Sequence, residues 1–91
     1  MPTSVRKMDQ LLVNGLGFER RAGRHQLYVL EYAGRQVVRT LISHGAREIS
    51  NELLATMAQQ MGITAPQLKK LLAGELSRAD YLALLHERGI I

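Results

Sequence analysis

The apolar residues of this 91-residue chain change their spacing twice, and this change constrains the fold more than any other feature of the sequence. Up to Leu16 they recur every three or four positions, which is typical of one face of a helix. Between Phe18 and Ile42 they fall in short runs rich in β-branched and aromatic residues, which favour strands. From Ser50 onward the helical spacing returns. The predicted order is α-β-β-β-α-α-α, and the predicted fold class is α+β.

Glycines divide the first half of the chain into its elements. The first helix is predicted to end at Gly15 and Gly17. Its apolar stripe consists of Val5, Met8, Leu12 and Leu16. Strands are predicted over residues 18–21, 25–32 and 36–42. Ala33 and Gly34 supply a tight turn between the last two strands, so we expect an antiparallel meander.

Each of the last three helices begins with a residue that can cap its first turn. The predicted caps are Ser50, Thr64 and Ser77. Thr64 and Gln67 also have the spacing of a capping box. We expect one domain over residues 1–91, with an α-β-β-β-α core at residues 1–63 and a C-terminal helical extension at residues 64–91.

The sequence contains no feature that would direct it to or through a membrane. No apolar run approaches the roughly 18 residues that a membrane span needs. The N-terminus also lacks the apolar segment of a signal peptide. The expected compartment is therefore the cytoplasm.

The basic side chains are concentrated in the first half of the chain. The formal net charge is +4, which indicates an anionic partner, with nucleic acid first. Residues 1–47 carry eight basic and three acidic side chains, whereas residues 48–91 carry four and five. The candidates for phosphate contact are Arg20, Arg21, Arg24, Arg39 and Arg47. A solvated arginine-rich surface is the alternative interpretation.

Histidine is the remaining source of chemistry, because the chain has no cysteine. The three histidines are His25, His44 and His86, and no pair has the i, i+4 spacing of a helical metal site. We therefore expect no metal and no cofactor. His25 opens a strand in the most basic stretch of the chain, and histidine transfers protons near neutral pH. RNA cleavage needs a base, an acid and cations on the phosphate. The alternative for His25 is a strand-end residue that packs or binds phosphate without catalysis.

Several short motifs occur in an order that resembles the HicA family of bacterial toxins. They are Gly17-Phe18, Gly23-Arg24-His25-Gln26-Leu27-Tyr28, Ser43-His44-Gly45-Ala46-Arg47-Glu48-Ile49 and Met61-Gly62-Ile63. The resemblance covers about residues 5–72. It implies a double-stranded-RNA-binding-like fold and a metal-independent endoribonuclease that cleaves mRNA, the toxin of a type II toxin–antitoxin system. It also implies a HicB-like antitoxin as protein partner.

The resemblance assigns roles to individual residues. His25 matches the family's catalytic histidine, and His44 matches a second histidine for which we expect RNA contact. The family's serine before the catalytic histidine is Arg24 here, which changes the immediate surroundings of the site. Residues 73–91 have no counterpart in the short family core.

Two other classes of function remain open. Residues 54–72 resemble a helix-turn-helix, with Ala58 where the helices would cross and Gly62 in the turn. The first class is therefore a non-catalytic nucleic-acid-binding module, which binds either RNA or, through the helix carrying Gln67, Lys69 and Lys70, DNA. The other class is a protein-interaction module whose added helices form a homodimer or bind an antitoxin.

Overall fold

The computed structural model describes residues 3–21, 23, 25–43 and 47–91. Helix α1 spans Val5–Gln10 and is capped by the side chain of Ser4, which accepts a hydrogen bond from the backbone N–H of Lys7. The helix continues as a π-helical segment over Leu11–Gly15. The predicted stop is confirmed at Gly17, whose φ of +80° lies in the left-handed region that glycine tolerates.

The three predicted strands are confirmed as an antiparallel meander with slightly different ends. They are β2 (Glu19–Arg21), β3 (Gln26–Tyr32) and β4 (Arg35–Ile42), in the spatial order β2-β3-β4. Ala33 and Gly34 form the turn with φ values of 53° and 79°, as in a type I′ hairpin. A β-bulge between Leu30 and Glu31 shifts the register near that turn.

A second, two-stranded sheet was not predicted from the sequence. Strand β1 (Thr3–Ser4) pairs antiparallel with β5 (Glu48–Ile49). The backbone N–H of Val5 also donates to the carbonyl oxygen of Arg47, with an N···O distance of 3.0 Å. Two residues are too few to show an alternating pattern, so only the fold itself reveals this pairing. It ties the start of α1 to the segment before the second helix.

The three helices of the second half follow the predicted caps. They are α2 (Asn51–Gln60), α3 (Ala65–Leu72) and α4 (Arg78–Glu87). The caps accept hydrogen bonds from backbone N–H groups in the first turn, and both Thr64 and Ser77 complete capping boxes. Local side-chain chemistry therefore determines where each helix begins.

Helices α1 and α2 pack on the same face of the three-stranded sheet. Residues from α1, β3, β4 and α2 share one buried cluster, which includes Met8, Leu12, Tyr28, Leu30, Val38, Ile42, Leu54 and Met57. Thr40 lies on this face as well, and its hydroxyl donates to Oε1 of Gln60 at 2.7 Å. Leu27, Val29 and Leu41 alternate with these residues and lie outside the cluster, so they belong to the opposite face. We call this opposite side the open face.

Helices α3 and α4 enlarge the same core. Leu68, Leu71, Tyr81 and Leu85 belong to the buried cluster. The rings of Phe18 and Tyr81 lie 6.1 Å apart, and the Tyr81 hydroxyl donates to the carbonyl oxygen of Met61 at 2.8 Å. In the described part of the chain the fold is thus α+β, with four helices and two antiparallel sheets. None of the helices in these residues is long and apolar enough to cross a membrane.

Candidate nucleic-acid interface

His25 lies in solvent at one end of the sheet. It directly precedes Gln26, whose partner on β4 is Ile42, so His25 lies at the same end of the sheet as Ser43. Its side chain is exposed and makes no hydrogen bond or ion pair with any of the described residues. An exposed imidazole to which no described residue binds is available to a ligand.

Arg20 is held by an acidic residue of α1. Its Nη1 lies 2.8 Å from Oδ1 and 2.9 Å from Oδ2 of Asp9. The same Asp9 Oδ1 accepts a hydrogen bond from the Tyr28 hydroxyl at 2.5 Å. Arg20 therefore neutralises a carboxylate of its own chain, which makes it less available for contact with a phosphate.

Arg21 is engaged in the same way on the open face. Its guanidinium group lies 3.2 Å from Oε1 of Glu19 and 3.2 Å from Oε1 of Glu31. The hydrogen bond and the charge of Glu19, followed by the charge of Glu31, raise the pKa of Arg21 above its usual value. The pairs are exposed, so a phosphate could still compete for the guanidinium group.

Arg39 and Arg47 are exposed and form no ion pair with the described residues. Arg39 lies on the open face opposite Val29. Arg47 lies beside Val5, next to the exposed side chains of the first turn of α1. The other two predicted contacts, Arg24 and His44, lie outside the described residues.

The ion pairs change which basic residues are free. The three acidic residues of the N-terminal half, Asp9, Glu19 and Glu31, are all bound to Arg20 or Arg21. The other described basic residues of that half form no ion pair with the described chain; they are Arg6, Lys7, Arg35, Arg39 and Arg47. The sequence analysis counted Arg6, Lys7 and Arg35 among the basic residues of this half but did not name them as candidates for phosphate contact.

The covalent chain limits how far Arg47 can lie from the end of the sheet where His25 lies. The chain from Ser43 to Arg47 is four peptide units long, so its ends are at most about 14 Å apart at full extension. Arg47 in turn lies beside Val5, next to Arg6 and Lys7. We call Arg6, Lys7 and Arg47 the basic end cluster.

The buried hydroxyl of Tyr28 acts as a donor. Burial, followed by the hydrogen bond to Asp9 and the charge of Asp9, raises the pKa of Tyr28 well above its usual value. The phenol therefore keeps its proton to a higher pH than an ordinary tyrosine, and its hydrogen bond links β3 to α1. This network of Asp9, Arg20 and Tyr28 was not predicted, because it joins three elements that are distant in sequence.

The described residues include no group of three or more histidine, cysteine, aspartate or glutamate side chains that could hold a metal ion.

The α2–α3 pair has the buried residues and the turn glycine expected of a helix-turn-helix. Ala58 is buried in α2, and Gly62 in the connection has a φ of +80°. Ile63 and Leu68 are buried on the inner side of the pair. The exposed residues of α3 include Pro66, Lys69 and Lys70. Any tight pair of helices would have the same buried residues. The evidence for DNA binding is therefore the exposed Lys69 and Lys70.

No family model, curated protein or solved structure matches this chain.

Proposed function

We propose that this chain binds RNA and cleaves it without a metal, as a HicA-like endoribonuclease toxin with His25 as general acid or base. The observation that carries the proposal is an exposed His25 that has no partner among the described residues and lies beside Ser43, four residues before Arg47 of the basic end cluster. An imidazole and several unpaired cations are the groups that phosphodiester cleavage requires.

The proposed chemistry moves one proton at each of two oxygens. The 2′-hydroxyl attacks the adjacent phosphorus and the bond to the 5′-oxygen breaks, leaving a cyclic phosphate and a 5′-hydroxyl. His25 either takes the proton of the 2′-hydroxyl or supplies one to the 5′-oxygen, and water or a second side chain serves the other oxygen. The cations of the basic end cluster would stabilise the charge that develops on the phosphate.

The arrangement of the core is a second support. One helix, a three-stranded meander and a second helix on the same face of the sheet follow the order of a double-stranded-RNA-binding-like fold. In this proposal α3 and α4 are additions that enlarge the core. A HicB-like antitoxin would be the protein that covers the site.

The test compares two exposed histidines in a cleavage assay. Long mRNA is incubated in EDTA with the wild type, with His25→Ala and with His86→Ala as the matched control on α4. We expect cleavage by the wild type and by His86→Ala, and a loss of at least about 100-fold with His25→Ala, which is the usual contribution of a general acid or base. Circular dichroism verifies the fold of each variant.

Two outcomes would contradict the proposal. Cleavage that persists in His25→Ala would mean that the activity arises elsewhere or from a contaminant. Salt-sensitive RNA binding without cleavage by any of the three proteins would leave a binding module with no ribonuclease activity.

A second candidate function is DNA binding through α2 and α3, favoured by the exposed Lys69 and Lys70 on α3. Selection from a pool of random DNA duplexes tests it. If α3 reads DNA, one sequence is enriched, and replacing both lysines with alanine abolishes the preference. A protein that enriches no duplex at low salt does not use α3 in this way.

A further inference from the structure

One long edge of the three-stranded sheet is uncovered. Within the described part of the chain, β4 (Arg35–Ile42) pairs with β3 alone, and its residues make no other backbone hydrogen bond. An edge strand of eight residues presents a row of unpaired N–H and C=O groups, which is a template for another strand.

The other edge is protected by its length and its charges. Strand β2 is only three residues long and consists of Glu19, Arg20 and Arg21, all of which form ion pairs. Short, charged edge strands resist pairing with another chain. The two edges therefore differ, and β4 is the one that can accept a partner.

A groove runs along the β4 edge. It has a volume of about 490 Å³, is open to solvent, and is lined by Gln36, Val37, Val38, Arg39, Leu41 and Gln60. Leu41 is 40% exposed and supplies an apolar contact in the groove. The groove thus combines backbone hydrogen-bonding groups with an apolar contact, a combination that suits an extended peptide.

The positive charge of the β4 edge indicates the charge of the peptide segment that it would bind. Arg35 and Arg39 are exposed and form no ion pair with the described residues. A carboxylate on the added strand opposite Arg39 would supply the missing partner, since opposite charges across two strands are favourable. We propose that the β4 edge binds an extended acidic segment of a partner protein as a fourth strand.

Two other occupants fit this edge less well. A second copy of the chain would bring Arg35 and Arg39 of both molecules onto one strand pair, and each molecule carries a net charge of +4. RNA would satisfy Arg39 but would leave the apolar side chain of Leu41 without a matching contact. Strand addition at β4 does not depend on RNA binding or cleavage, so the two proposals can fail separately.

The side-chain alternation predicts the pattern of the partner. Arg39 and Leu41 are two residues apart and lie on the same face. The bound strand should carry an acidic residue two positions from an apolar one on that face. A parallel and an antiparallel strand would satisfy this pattern equally.

A display selection with random peptides tests the proposal. A library of random eight-residue peptides is selected against the full chain. We expect enriched peptides with acidic residues that alternate with apolar or β-branched ones. Arg39→Glu should weaken their binding at least about tenfold, as expected when a complementary charge pair is reversed. Arg88→Glu is the matched control, because it makes the same charge change at an exposed residue after α4.

Hydrogen exchange then locates the bound peptide. An enriched peptide should slow the exchange of β4 amides that are fast in the free protein. The proposal is overturned if no acidic peptide is enriched, if Arg39→Glu and Arg88→Glu weaken binding equally, or if the protected amides lie outside β4. Protection of β4 by an RNA oligonucleotide in place of the peptide, or by self-association without any ligand, would assign the edge to RNA or to a second copy.

Discussion

Tyr28 shows how one hydroxyl can tie a helix to a sheet. The ring is fully buried among residues of the core, and its hydroxyl donates to Asp9 of α1 at 2.5 Å. Asp9 also binds Arg20 of β2, so a single carboxylate joins three elements. No local pattern in the sequence predicts these contacts of Asp9 with Tyr28 and Arg20, because the three residues lie on different elements.

Replacing Tyr28 with phenylalanine should remove this contact while keeping the ring. We expect the free energy of unfolding to fall by about 1–2 kcal/mol, because a hydrogen bond to a charged acceptor is lost. Urea denaturation provides the measurement. Tyr32→Phe is the control, since Tyr32 is 42% exposed and its hydroxyl makes no hydrogen bond with the described residues. Equal losses in the two variants would show that the Asp9 contact does not stabilise the fold.

Stability at high pH should report the two buried tyrosines. Burial raises the pKa of Tyr81, and burial together with Asp9 raises that of Tyr28. Above the unfolded value of about 10, the unfolded chain loses protons that the folded chain keeps, so stability falls as pH rises. Each tyrosine contributes up to about 1.4 kcal/mol per pH unit.

Urea denaturation between pH 9 and pH 11 would measure this slope. Tyr28→Phe should make it shallower, whereas the exposed Tyr32→Phe should leave it unchanged. A slope that is the same in all three proteins would mean that Tyr28 ionises as readily in the folded protein as in the unfolded chain.

At the scale of elements, local capping made the second half of the chain predictable. Each cap accepts a hydrogen bond from a backbone N–H three residues later; the caps are Ser50, Thr64 and Ser77. Both partners therefore lie in one short segment, and the interaction can be recognised from the sequence. The β1–β5 sheet was missed for the opposite reason, since Thr3 and Ile49 are paired across 46 positions of the sequence. The π-helical segment over Leu11–Gly15 was also missed, because its apolar spacing resembles that of an α-helix.

Two glycines allow the packing of α4 to be measured. Gly62 and Gly74 have nearly the same φ, +80° and +79°, but different surroundings. A Cβ at Gly62 would clash with Cδ1 of Ile90 and lie 3.0 Å from Cδ2 of Leu85, whereas a Cβ at Gly74 would meet nothing within 4 Å. The difference between the two sites isolates the contact between the α2–α3 turn and the end of the chain.

Gly74→Ala should lower the free energy of unfolding by roughly 1–2 kcal/mol, the cost of a left-handed alanine. Gly62→Ala should cost about 1 kcal/mol more, the low end of the cost of overpacking, because only the side-chain ends of Ile90 and Leu85 must move. Combining Gly62→Ala with Ile90→Ala should recover part of that excess, as coupled residues are not additive. Equal costs at the two glycines in urea denaturation would mean that Ile90 does not pack against the turn.

At the scale of the whole molecule, the charge count predicted that the first half is basic. It could not show which of its arginines are paired with acidic side chains. Arg20, Arg21 and Arg47 look alike in the sequence, whereas the fold binds the first two to acids and leaves the third unpaired among the described residues. His25 was predicted to open a strand; it directly precedes β3, which begins at Gln26, and it is exposed to solvent. The basic end cluster could not be foreseen, because the unpredicted β1–β5 pairing brings Arg47 beside α1.

The difference between paired and unpaired arginines leads to a prediction about the salt dependence of RNA binding. If RNA binds at the basic end cluster, Arg47→Ala should weaken binding and lower the slope of log K against log salt by about one, as one phosphate contact is lost. Arg20→Ala makes the same change in net charge but removes a cation that is already bound to Asp9. Its effect on the slope should therefore be much smaller. Fluorescence anisotropy with a labelled RNA, over a range of about 50 to 300 mM salt, would measure both. If Arg20→Ala lowers the slope as much as Arg47→Ala, phosphate displaces Asp9 on binding, and the interface extends from the basic end cluster to β2.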